Sequence, residues 1–125
     1  MNKRANIYKC NACGNIVEFV HSGAGEIVCC GEAMILMDEK TADFKTEKHV
    51  PMLSEEKTGI KVVVGSILHP MTEDHYIEWI EVINRDYINR KYLKPGDAPE
   101  ALFYVPNQDG LIIRSYCNIH GLWKA

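Results

Sequence analysis

The chain has 125 residues and a formal net charge of −3, with 46% of them hydrophobic, enough for one domain or two small ones with a modest core. The acidic balance excludes a general basic field for nucleic acid, and no apolar run is long enough to span a bilayer as a helix. The start, MNKRANIYKC, carries Lys and Arg with no apolar stretch behind them, so no secretory signal is expected and the cytoplasm is the expected compartment. In a reducing compartment clustered cysteines bind metal more often than they form disulfides.

Residues 1–37 hold four of the five cysteines. Short strands are expected over 7–9, 16–20 and 26–28, joined by glycine-bearing turns such as CG and SGAG. A segment of this size does not build a sufficient core alone, so a metal or a partner is expected to hold it. Within it stand Cys10-x2-Cys13, fifteen intervening residues, then the adjacent pair Cys29 and Cys30. A C-x2-C turn points two thiolates at one ion, and a second pair completes a tetrahedron. Successive side chains of extended backbone point opposite ways, so both Cys29 and Cys30 reach one ion only across a local kink, which Gly31 favours. On the residues alone, zinc, a single iron and disulfides all remain open for this set.

Residues 38–46, DEKTADFKT, read as a polar linker with room for a helical turn. From residue 47 onward the pattern changes. GIKVVVGSI, HYIEWIEVI, RKYLK, EALFYV and GLIIRSY are β-branched or aromatic runs of strand length, punctuated by HPM, PGDAP and PNQDG. No stretch keeps a 3.6-residue period over ten or more residues, so an antiparallel sandwich or barrel is expected.

Four of the five histidines lie in this second part: His49 in EKHVP, His69 and His75 across the loop HPMTED, and His120 three residues after Cys117. His21, in the turn VHSGAG, is set aside as an ordinary polar residue. Four imidazoles with one thiolate exceed a tetrahedral zinc site and suit a metal of higher coordination with an open position. Taken singly, each histidine is an ordinary surface or core residue, and Cys117 a buried thiol; the joint pattern carries the reading. An electron carrier with a closed second metal, and a zinc-ribbon module joined to a recognition domain, are the alternatives.

Together YKC-x2-CGN with VCCG, EKHVP, HPM-x3-H-x-I-x-WIE, YLKPGDAPEA and CN-x-HG-x-W resemble desulfoferrodoxin, the two-iron superoxide reductase, over nearly the whole chain. The resemblance implies a mainly β protein: a desulforedoxin-like metal domain (1–37), a linker (38–46) and an immunoglobulin-like antiparallel β-sandwich (47–125). It implies two non-haem irons, one held by Cys10, Cys13, Cys29 and Cys30, the other by His49, His69, His75 and His120 in a plane with Cys117 axial. His120 is expected to bind through Nδ1. Some relatives lack cysteines of the first set; this sequence keeps all four. Glu47 and Lys48, just before the first imidazole ligand, are implied to act in catalysis: Lys48 by attracting and stabilising the superoxide anion, Glu47 by occupying the open position of the oxidised site. The implied partners are superoxide, a rubredoxin-type electron donor and a second copy in a homodimer. The sequence departs from the family in segments read as loops, notably VINRDYINRKY and PNQDG.

Overall fold

A computed structural model describes residues 3–41 and 49–125, and among these there is no helix. The chain divides into two compact units, Met1–Asp38 and Glu39–Ala125. In the first, β1 (Ile7–Lys9) lies between β2 (Ile16–Glu18) and β5 (Ile35–Leu36), both antiparallel to it, and β3 (Val28–Cys29) pairs with β4 (Glu32–Ala33). Its described core holds Tyr8, Cys10 and Met34, with Phe19, Ile27 and Cys29 packed against them, and Ile7 is buried as well. Burying one large apolar side chain contributes about 1.5–3 kcal/mol, while ordering each residue's backbone costs about 1–2 kcal/mol. A core this small leaves the unit dependent on something beyond its apolar contacts.

The second unit is a two-sheet sandwich. One sheet has the order β10 (Glu100–Phe103), β7 (Gly59–Val64), β6 (Pro51–Glu56); the other has β12 (Gly121–Lys124), β11 (Ile112–Cys117), β8 (Ile77–Asn84), β9 (Tyr87–Tyr92). Every pairing within these sheets is antiparallel. Alternation places Ile60, Val62 and Val64 of β7 on the inner face, against Ile80 and Val82 of β8 and Ile113 of β11, and Cys117 belongs to the same core. Gly59 opens β7 directly beneath the Phe103 carbonyl, and a Cβ there would collide with that backbone oxygen.

The expected mainly β architecture with a sandwich is what the chain adopts. Four strands escape the sequence reading: β4 and β5 have two residues each, β6 is largely polar, and β12 lies inside the CNIHGLW motif. VINRDYINRKY, read as a loop, is the β8–β9 hairpin. Its strands pair from Asn84↔Tyr87 to Trp79↔Tyr92, and Arg85 takes the left-handed turn conformation. The polar centre of the segment masked the Val82, Ile83, Tyr87 and Ile88 that flank the turn. At the start of the second unit Lys40 is tied to the sheet, its N–H donating to Leu122 O (3.0 Å) and its carbonyl accepting from Lys124 N (2.8 Å).

The outer face of β8 and β11 is buried too. Trp79 stacks on its cross-strand neighbour Tyr116, with centroids 4.5 Å apart. Beside them Glu81, fully buried, faces Arg90 of β9 and Arg114 of β11 in register. One carboxylate oxygen accepts from Arg90 Nε and Nη2 (3.0 and 2.9 Å) and the other from Arg114 Nε (2.9 Å) and Nη2. Glu39 caps Arg114 Nη1 at 3.2 Å. Removing Glu81 leaves the buried Arg114 guanidinium without its main partner. Glu81→Ala is therefore expected to lower the unfolding free energy by about 3–5 kcal/mol in urea denaturation; a loss within about 0.5 kcal/mol, ordinary for a surface substitution, would show that the arginines find other partners.

Candidate metal centres

In the first unit the four thiols converge. Cys10 follows β1, and the Gly14 N–H closes the turn after it on the Cys10 carbonyl (2.9 Å). Cys13 Sγ stands 3.6 Å from Cys29 Sγ, and Cys29 Sγ 4.0 Å from Cys30 Sγ. All four sulfurs lie within 4.8 Å of one another, and none is bonded to another. The kink required between Cys29 and Cys30 is the tight β3–β4 turn: Cys30 has φ 53° and Gly31 φ 76°, closed by Cys29↔Glu32. A cysteine rarely takes that left-handed conformation, and here it turns the second thiol toward the first.

Electrostatics shows what the cluster needs. The Cys13 backbone N–H, the largest influence, pulls the Cys10 thiol down to about 7. Hydrogen bonding to Cys13, then to Cys29 and Cys10, pushes Cys30 up to about 12, and Cys29 is raised for the same reason. Neighbouring thiols thus oppose the ionisation of Cys29 and Cys30, an opposition that a bound cation would relieve.

The second set gathers at one end of the sandwich. His69 follows the turn after β7 and His75 precedes β8, so the HPMTED loop returns the second ring beside the first, centroids 4.6 Å apart. The remaining neighbours are His49–His69 at 4.8 Å, His49–His120 at 4.6 Å and His75–His120 at 5.1 Å, while His49 and His75 stand across from each other at 6.2 Å. Four imidazoles therefore form a closed square. Donor atoms of His49, His69, His75 and Cys117 lie within 4.8 Å of one another. His120 turns Nδ1 inward, 2.9 Å from His49 Nε2 and 3.8 Å from Cys117 Sγ.

Cys117 ends β11, where the register with β8 slips between Tyr116 and Cys117, and its thiol is wholly buried. Burial pushes its pKa up, opposed by backbone N–H groups of His120 and Ile119; the former lies 3.4 Å from the sulfur. His69 shows most clearly how these residues fit a metal ion. Its Nδ1–H donates to the Pro70 carbonyl at 2.7 Å, which leaves Nε2 as a lone pair. That Nε2 is buried with no hydrogen-bond partner among the described residues. Burial, the main cause, lowers its pKa to about 4, so the ring is neutral at physiological pH and fits a metal ion.

Several supporting side chains were not singled out from sequence. Asn118 accepts from Tyr76 N–H (2.9 Å) and donates to the Asp74 carbonyl (3.0 Å), joining the Cys117–His120 turn to the backbone around His75. Ser115, on the Cys117 face of β11, donates to the His49 carbonyl at 3.2 Å. Trp123 of β12 stacks on the His49 ring at 4.6 Å and 16°. Their signal was only proximity to ligands inside CNIHGLW and RSYC. Glu47 and Lys48 lie outside the described residues.

A two-unit β protein with four thiols in its small unit and a square of imidazoles over a buried thiol in its sandwich is a two-centre metalloprotein. Its sequence matches the Desulfoferrodoxin family profile over residues 41–125 and the profile of the Desulfoferrodoxin N-terminal domain over residues 2–37. It is 54% identical over 125 residues to a desulfoferrodoxin homolog of Archaeoglobus fulgidus, covering 100% of this chain and 99% of that one. It is also 54% identical to the desulfoferrodoxin of Nitratidesulfovibrio vulgaris, over 100% and 98% of the two chains. The crystal structure of the superoxide reductase from Treponema pallidum superposes with a TM-score of 0.77 at 28% identity, covering 96% of each chain. The chain belongs to the desulfoferrodoxin family. Both donor sets fit the iron centres of that family.

Asn118 touches two ligand-bearing segments and no ligand atom. Asn118→Ala is expected to weaken metal retention in the sandwich by about 10–100-fold in chelator competition, as loss of an outer-sphere support does, and to leave the tetrathiolate centre unchanged. Equal loss from both centres would point to general destabilisation instead.

Proposed function

We infer that the protein is a superoxide reductase: superoxide, one electron and two protons give hydrogen peroxide, and no dioxygen is released. The observation that carries this reading is the square of four imidazoles with a single buried thiol beneath it. Iron held by these residues would supply the electron. The residues set the terms. His49, His69, His75, His120 and Cys117 would hold the iron, with the buried Cys117 sulfur closing the core side, so a small anion would approach from the side away from it. The His120 N–H aimed at the sulfur tempers the charge the thiolate donates. Burial of Cys117 keeps water and oxidants from that side.

Lys48, next to His49 in sequence, is proposed to supply the local cation that an acidic protein needs to attract an anionic substrate. Glu47 is proposed to act on the open side of the site once it is oxidised. The tetrathiolate centre of Cys10, Cys13, Cys29 and Cys30 is proposed to pass electrons, with a rubredoxin-type protein as external donor. Five free thiols suit a reducing cytoplasm, and no helix among the described residues is long and apolar enough to cross a membrane. A homodimer would give the thin core of the first unit further cover. Protection from superoxide in an anaerobe or microaerophile is the corresponding physiological role.

Cys117→Ser tests the assignment. The variant is expected to keep the visible absorption of the tetrathiolate iron and to lose superoxide reduction, followed by pulse radiolysis. Full activity in the variant would contradict the role given to the thiolate.

A further inference from the structure

Lys40 is the first residue of the second unit to pair with the sheet, and its side chain returns to the sandwich site. Its backbone bridges Leu122 and Lys124 on either side of Trp123, so its Cα is fixed in register. From there Nζ donates to the carbonyl oxygen of His120 at 2.8 Å and lies 5.3 Å from the centre of the Trp123 ring. That ring is the one stacked on His49. A single ammonium group thus touches the backbone of one imidazole residue and the aromatic support of another.

Its partners among the described residues are a carbonyl dipole and a π face. Neither carries a formal charge, so the ammonium charge is held without being neutralised. Cation–π contact within about 6 Å of a ring is attractive and restricts where the ammonium sits. Glu39 beside it in sequence is turned to Arg114 instead. The result is a positively charged group, held by uncharged partners among the described residues, at the edge of the square of imidazoles. Such a charge disfavours any increase of positive charge at the centre and favours the more reduced state. It also restrains the His120 turn from which the backbone N–H reaches the Cys117 sulfur.

We propose that Lys40 is a positioning residue of the histidine–thiolate centre: it anchors the His120 carbonyl and, through its charge, raises the reduction potential of the iron held there. The proposal rests on the reading of that site as an iron centre.

The test is a spectroelectrochemical titration of the full-length, iron-loaded protein, comparing the parent with Lys40→Met, Lys40→Gln and Lys40→Arg. Both neutral variants are expected to shift the midpoint of the histidine–thiolate centre to more negative potential. Lys40→Arg is expected to restore the parent value. The tetrathiolate centre of the same molecules is the internal reference and is expected not to move. Because the ammonium group is near solvent, the shift is expected to shrink as ionic strength rises. An unchanged midpoint in both neutral variants would overturn the proposal. So would an equal shift in Lys40→Arg, because the effect would then come from packing and not from charge. A parent protein with only one titrating centre would overturn the reading of the site itself, and the proposal with it.

Discussion

The whole second unit is organised around a sulfur atom fixed at the end of a strand. Cys117 belongs at once to the apolar core and to the donor set. Its thiol has no exposure, so whatever binds it must be approached from the imidazole side. The slip in register at Tyr116/Cys117 ends regular pairing there, and the turn that follows supplies both an imidazole and an N–H for the sulfur. The other ligands arrive from three separate places: before β6, after β7 and before β8. Each is fastened by a contact that is not to metal: Ser115 and Trp123 hold His49, the Pro70 carbonyl orients His69, and Asn118 holds the backbone around His75. A rigid sandwich aims such ligands more accurately than free loops would.

The first unit reverses that dependence. Its apolar core is thin, and its thiols oppose one another's ionisation. A cation held by Cys10, Cys13, Cys29 and Cys30 would relieve that opposition and tie the β1 turn to the β3–β4 hairpin. Here the donor set makes the fold, whereas in the sandwich the fold makes the donor set. Metal loss should therefore be felt by the whole of the first unit but only locally in the second.

The chemistry of both sites was legible in the sequence because ligands are few in kind and their spacing is constrained by turns. C-x2-C, the vicinal pair with its following glycine, and C-x2-H each say which side chains meet. Alternation of apolar residues likewise gave the long inner strands. What the sequence did not reveal are contacts between residues distant in the chain whose types are unremarkable. Ser115, Trp123 and Lys40 act on His49 and His120 only because β11, β12 and the start of the second unit lie side by side. Glu81, Arg90 and Arg114 look like surface charges until strand register sets them opposite one another. Strands of two residues carry too little pattern to be read at all.

The central claim is that the square of imidazoles over a buried thiolate reduces superoxide and does not dismute it. The direct measurement is product stoichiometry under anaerobic conditions with excess electron donor: a known quantity of superoxide is added, and peroxide and dioxygen are both followed. The account predicts one peroxide for each superoxide consumed and no dioxygen from the enzyme. One peroxide for every two superoxide ions, with dioxygen evolved alongside, would contradict it.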